Sequence, residues 1–384
     1  MIMIYPSEIT KKWPHRPLSE VVDFLDSKRK PITQKDRVPG PYPYYGANGQ
    51  QDSVADYIFD EPLVLLAEDG GHFGDADKTI AYQVEGKCWV NNHAHVLRPK
   101  KDVDIRYICR HLERYDVTPF ITGSTRGKLT KTAANNIPIA LPPLEEQRRI
   151  AAILDKADGV RRKRKEAIRL TEELLKSTFL EMFGDPVTNP KGWEVTILRD
   201  VCKKVTDGTH HMPKTVEKGI PILRALNIKK DKVETSNLLY ISEEDYQKIS
   251  KRSPLDKGDV LLTCLGTIGN VAIFNEDSNF SLVRNIALLK PNYKKTTSEF
   301  LKFILKTDYL QRQIKSRSKQ SSQAALYIGE IEQLKIFLPP IELQRKYSNL
   351  SQEINDLHKK LEQDEFYQDN LFNSLLQKAF RGEL

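Results

Sequence analysis

The chain of 384 residues contains a copy of itself, and that duplication restricts its possible folds more than any other feature. Residues 141–150, LPPLEEQRRI, return as residues 338–347, LPPIELQRKY, with six of ten positions identical at an offset of 197. The register then holds without a gap: Leu174 matches Leu371, Ser177 matches Ser374 and Phe183 matches Phe380. Upstream it is looser. Val64-Leu65-Leu66 with Gly70 corresponds to Val260-Leu261-Leu262 with Gly266 at offset 196, and Asn92-His93-Ala94 resembles Asn285-Ile286-Ala287. Pro43 pairs with Pro221 at offset 178, so the second copy carries about 18 extra residues between Pro221 and Val260. A period near 190 residues is too long for a solenoid, so each copy is expected to be a domain followed by a helix.

Residues 144–183 read as one long helix. Pro142-Pro143 suits its start, Glu145 and Glu146 suit the positive end of the dipole, and Gly184-Asp185-Pro186 ends it. Ile150, Ile153, Ala157, Val160, Ala167, Leu174 and Thr178 recur by threes and fours; Tyr347, Leu350, Ile354, Leu357, Asp364, Leu371 and Leu375 take the same places, and Leu361, the counterpart of Arg164, is another core-phase position. At ~1.5 Å per residue each helix is ~60 Å long, more than one small domain can cover. The economical partner for each stripe is the other one, in an antiparallel coiled coil. The remaining segments look mixed and strand-rich, with short runs such as Leu63–Leu66 and Ile286–Leu289 between Pro, Gly and Asn punctuation. The expected fold is α+β. A globular domain over 1–143 is followed by a long helix over 144–184, and a second domain over 185–340 by a second helix over 341–384, with pseudo-two-fold symmetry.

No apolar run approaches the ~18–20 residues of a membrane-spanning helix. The start, Met-Ile-Met-Ile-Tyr-Pro, has no signal-peptide core, and the four cysteines form no CxxC pair, so a cytoplasmic protein without a zinc ribbon is expected. Catalytic apparatus is not evident. Gly123–Leu129 resembles a phosphate loop but is one residue short, with Leu129 where a Ser or Thr should stand. His93 and His95 read as structural, and His210-His211 point opposite ways on a strand, which argues against shared ligation. Asn189-Pro190 lacks the following Pro-Tyr or Pro-Phe of a DNA amino-methyltransferase.

Sixty Lys+Arg against 52 Asp+Glu leaves a net charge of +8. Two basic globules on a rigid spacer suit an elongated polyanion held at two places. Candidate contacts in the first half are Lys28, Arg29, Lys30, Lys35, Arg37, Arg126, Lys128 and Lys131. In the second they are Lys203, Lys204, His210, His211, Lys214, Arg224, Arg312, Lys315, Arg317 and Lys319.

Several segments resemble the specificity subunit of type I restriction–modification systems. They are Leu141–Leu154 (LPPLEEQRRIAAIL), Phe183–Trp193 (FGDPVTNPKGW), Asp207–Lys214 (DGTHHMPK), Gly219–Ile228 (GIPILRALNI) and Gly258–Ile273 (GDVLLTCLGTIGNVAI). The resemblance implies two target-recognition domains, each reading half of a bipartite double-stranded DNA sequence, with the paired helices as a ruler between half-sites ~10 base pairs apart. It also implies docking of two methyltransferase subunits and of restriction–translocation subunits. S-adenosylmethionine, ATP and Mg²⁺ would sit on those partners, with no cofactor or metal on this chain. The alternatives are a specificity subunit serving a fused methyltransferase–nuclease, and a free-standing DNA methyltransferase.

Overall fold

A computed structural model of the chain describes residues 3–123, 127–229, 231–318 and 324–384. It divides into two compact units, Met1–Ile168 with Lys360–Leu384, and Arg169–Lys359. These units cut across the expected boundaries, because each takes part of both long helices.

In the first unit, His15–Pro17 pairs antiparallel with Pro138–Ala140 and closes the base of the globule. Above it stands an antiparallel sheet in the order Val22–Phe24, Ala94–Pro99, Leu63–Ala67, Ala81–Val84. Leu63–Ala67 is buried along its whole length, so its unbroken apolar run serves two cores. Val64 and Leu66 face the core shared with the helices, while Leu63 and Leu65 face a second sheet. That second sheet runs Gly49–Val54, Pro39–Gly46, Lys87–Val90, Phe59–Asp60, with Tyr44 parallel to Trp89.

The second unit repeats the plan. Glu194–Ile197 pairs with Lys335–Leu338, and the sheet order is Cys202–Asp207, Ile286–Pro291, Val260–Leu265, Thr267–Ile273. Its second sheet has three strands, Leu239–Ile241, Ile220–Leu223 and Ser281–Leu282, again with one parallel pair, Ile222 and Ser281. The tight turn Ala47-Asn48 of the first copy is replaced by residues 224–238, which include the hairpin Ile228–Lys229 with Lys232–Val233. The helix Glu243–Ser250 follows. The insertion expected between Pro221 and Val260 lies here.

The long helices span Leu144–Phe183 and Ile341–Arg381. Gly184, at φ +83°, ends the first in the left-handed conformation that glycine adopts without strain. Within each unit the two helices run antiparallel. In the first, Arg161 meets Asp369 and Arg164 meets Asp364, and Ile150, Ala151 and Leu154 share a core with Phe372, Leu376 and Phe380. In the second, Thr171 bonds His358 at 2.7 Å and Phe179 and Phe183 pack on Tyr347.

The seam differs in phase from the expected stripe. Ile150 and Tyr347 are buried, and Ile153, Ala157, Leu350, Ile354, Leu361 and Leu375 are half-buried. Val160, Leu174, Leu357 and Leu371 instead are 41%, 49%, 49% and 49% exposed. Two physical causes combine. Thr171 bonds His358 across the seam, and the polar residues Asp158, Ser351 and Asn373 are buried as well. A straight helix of 3.6 residues per turn also drifts away from a 3.5-residue pattern.

Candidate nucleic-acid interface

Each globule grips its helix through the one glutamine kept in both copies of the LPP motif. Gln147, buried at the first helix start, donates Nε2 to the carbonyls of Pro142 (2.8 Å) and Asp102 (3.2 Å), and Oε1 accepts from Asp104 N (2.8 Å). Gln344 does the same to Pro339, Lys295 and Thr297 N, and also accepts from the Thr296 hydroxyl. Asp104 and Thr297 are themselves the N-caps of Ile105–Leu112 and Ser298–Lys306. One side chain therefore ties the long helix to the docking helix beside it.

Around this tie the chemistry differs. In the first unit Arg110, 9% exposed, reaches Asp155 and Asp158 on the long helix at 3.0 and 3.1 Å and Glu113 at 3.2 Å. Arg161 joins Asp158 at 2.6 Å. Burial works against ionisation of Asp158, yet the hydrogen bond from Arg161 and the charges of Arg110 and Arg161 hold its carboxyl below the usual range. Burial dominates at Glu113 and raises its value despite Arg110. His111, wholly buried against Phe380, falls to about 3 through loss of solvation. In the second unit the matching ground is aromatic: Phe179 stacks on Phe303 at 4.3 Å and lies near Phe183, Phe300 and Tyr347.

The basic candidates fall into separate classes. Lys28, Lys30 and Lys35 are exposed on the segment after Val22–Phe24. Arg29 is not a surface residue: it donates to Glu68 and the Ala94 carbonyl at 2.6 Å each and meets Asp26 at 3.4 Å. Arg37 is held by Asp52 at 3.1 Å and lies 4.3 Å from the centre of the Tyr44 ring. Lys128 pairs with Glu68 at 3.0 Å, and Lys131 lies over Phe24. Arg126 and Lys319 lie outside the described residues.

In the second unit Lys203, His211 and Lys214 are exposed, Lys204 donates to the Arg252 carbonyl, and Asp207 holds both His210 (3.2 Å) and Arg252 (2.6 Å). Arg224 is half-buried and donates to the Asn237 carbonyl at 3.4 Å. Arg312 and Lys315 are exposed on the helix Asp308–Arg317, away in sequence from the 203–214 group, and Arg317 pairs with Glu330 at 3.0 Å.

Asp26, Glu68 and His95 lie close enough to suggest a metal centre. Their donors are already taken. His95 gives Nδ1–H to Asp26 (2.7 Å) and Nε2–H to the Leu129 carbonyl (2.8 Å), and Arg29 and Lys128 balance Glu68. Burial opposes the charge on Asp26 and Glu68, but the bonds from His95 to one and from Arg29 and Lys128 to the other keep both carboxyls below their ordinary range. The cluster is a strut, with His95 bound between Asp26 and the Leu129 carbonyl.

The sequence reading missed the polar cleft of the first domain. It measures about 450 Å³ and is lined by the 31–33 segment, Arg37, Tyr44, Asn48, Gln51 and the 91–93 connection. The run Asn91-Asn92-His93 between two apolar strands was its one sequence signal.

The family described as "Type I restriction modification DNA specificity domain" matches twice, over residues 10–170 and 190–364. The chain belongs to this family. A Haemophilus influenzae protein named as a type I restriction enzyme specificity subunit is 29% identical over 93% of this chain and 94% of its own length. The Escherichia coli EcoBI specificity subunit is 28% identical over 64% of this chain and 58% of its own. The crystal structure of a Mycoplasma genitalium type I system S subunit superposes with a TM-score of 0.66 at 15% identity, covering 96% of both chains, and so shares the fold. The chain is thus a specificity subunit carrying two target-recognition domains. Among the described residues no helix is long and apolar enough to cross a membrane.

Proposed function

We propose that this specificity subunit selects a bipartite double-stranded DNA sequence in the cytoplasm, one half-site per domain, and leaves methylation and cleavage to the subunits it recruits. What carries the reading is the pairing of one conserved frame with two unlike second sheets. The four-stranded sheet and the glutamine tie are the same in both units, whereas the turn at Ala47-Asn48 and the 224–238 insertion differ. Such a division gives two similar heads with different addresses. Exposed lysines supply phosphate contacts, and affinity falls with salt at a slope of about −0.9 per contact.

Recruitment rests on the apolar residues that the seam leaves out. Val160, Tyr367 and Leu371 are exposed on the helices of the first unit, and Leu357, Leu170 and Leu174 at the equivalent positions of the second. Two equivalent apolar patches suit two copies of one partner, the methyltransferase subunit, with S-adenosylmethionine bound there and ATP and Mg²⁺ on the restriction–translocation subunits. Methylome sequencing of cells that carry the chain with its partners should report one split adenine-containing motif. Exchange of residues 1–140 for those of a homologue should alter one half of it; alteration of both halves overturns the modular reading.

A further inference from the structure

The polar cleft of the first domain is built from side chains whose orientations are fixed before any ligand arrives. Asn91, 3% exposed, donates Nδ2 to Gln51 Oε1 at 3.2 Å, and its own Oδ1 accepts from His93 N at 2.8 Å. Gln51 is therefore locked with its oxygen occupied and its Nε2 left as a donor. Gly46 makes this possible, since a Cβ there would sit 2.3 Å from Gln51 Nε2 and 2.9 Å from Asn91 Nδ2. Asn48 is locked the other way: Nδ2 donates to the Gly70 carbonyl at 3.0 Å, which leaves Oδ1 as an acceptor. His93 gives Nδ1–H to Asp69 at 2.5 Å. The opposite wall is equally fixed, with Ile32 N donating to the Tyr44 hydroxyl at 3.1 Å and Arg37 held by Asp52 and the Tyr44 ring. Asn92 is exposed, and its side-chain amide has no partner among the described residues. The segment forming that wall also carries exposed Lys30 and Lys35.

A fixed donor and a fixed acceptor lining one cleft suit one base edge in the major groove. Adenine presents an acceptor at N7 and a donor at N6, whereas guanine presents two acceptors. We propose that this cleft reads an adenine of the first half-site, with Gln51 Nε2 donating to N7, Asn48 Oδ1 accepting from N6, and Lys30 and Lys35 holding the flanking phosphates. Asn91 and Gly46 are positioning residues. The proposal rests on the DNA-recognition function above and adds the residues and the base. The second domain reads differently. There Asn285, the counterpart of Asn92, is occupied in accepting from Ala225 N at 3.1 Å.

The test uses the chain assembled with its methyltransferase subunits and duplexes randomised at one half-site at a time. Gln51→Glu keeps the oxygen that Asn91 needs and turns the donor into an acceptor. It should lower binding at one adenine of the first half-site about tenfold or more and favour cytosine there, whose N4 is a donor. Lys35→Gln should weaken all sequences alike and reduce the salt slope by about one. Second-half-site preference should not move in any of these variants. Unchanged first-half preference in Gln51→Glu, a uniform loss across sequences, or a change in both halves overturns the cleft as reader. A wild-type complex with no split preference would instead sink the DNA-recognition function itself.

Discussion

Arg110 and Phe303 occupy the same place in the two copies, three residues after Tyr107 and Phe300 on their docking helices. Around the first lie Asp155, Asp158 and Glu113; around the second lie Phe179 and Tyr347. Tyr107 meets Phe380 at 5.8 Å in one unit, and Phe300 meets the equivalent Phe183 at 5.1 Å in the other. The contact geometry is thus kept while its chemistry has changed from ionic to aromatic. Position is set by what the copies share, the glutamine tie and the capped docking helix, so the filling between them is free to vary. The filling decides how each unit responds to its surroundings.

Four measurements can break or sharpen that contrast. The largest effect belongs to the buried contacts themselves. Phe179→Ala in the second unit and Asp158→Ala in the first should each cost about 3–5 kcal/mol, one by cavity and one by removing the buried carboxylate that Arg110 and Arg161 share. Hydrogen exchange resolved along the chain should locate each loss in its own unit; loss spread evenly over both would defeat the comparison. Next come Gln147→Ala and Gln344→Ala, at about 2–3 kcal/mol each from orphaned backbone groups, with Gln344 the costlier because it also accepts from the Thr296 hydroxyl. A twofold difference in denaturation energies would show that the ties are not equivalent.

Acid should separate the units by a smaller margin. His111 has a folded value of about 3 against 6.5 unfolded, so the stability of its neutral ring is complete above about pH 6.5 and is lost as pH falls toward 3. By pH 5 that is about 2 kcal/mol. Asp158, held low, loses its share below the ordinary carboxylate range, in the same direction. Ile304 stands in place of His111 in the second unit. His111→Leu should therefore flatten the first unit's acid profile between pH 6.5 and 4.5, read by exchange or circular dichroism, and leave the second unchanged. The smallest effect on stability is expected from Leu174→Gln and Leu371→Gln, within about 0.5 kcal/mol because both residues are exposed. Both should still weaken co-purification of methyltransferase subunits, and equal recovery would remove the case for two equivalent docking patches.

Much of the frame was legible in the residues. The repeated LPP motif located both helix starts, and the Val64-Leu65-Leu66 and Val260-Leu261-Leu262 runs marked the two central strands. The phase of the helix seam was not legible, because apolar periodicity ignores polar residues that bury themselves in pairs. Thr171 and His358 bond across the seam, and Leu174 and Leu357 are exposed outside it. Arg29 misled for a related reason: a basic tripeptide reads as surface, and only the fold reveals Glu68 and Asp26 waiting for its middle member. The cleft escaped because its walls come from four places in the chain, and no short window of sequence contains Asn48, Gln51 and Asn91 together.

The pairing of His15–Pro17 with Pro138–Ala140, and of Glu194–Ile197 with Lys335–Leu338, has an evolutionary consequence. Each globule is entered and left through adjoining strands, as a drawer slides on paired rails. A genetic crossover at both ends of such a segment can bring in a foreign insert without rerouting the polypeptide or disturbing either glutamine. New addresses can therefore arise by shuffling whole cassettes, in a single event and with the machinery that reads them left intact.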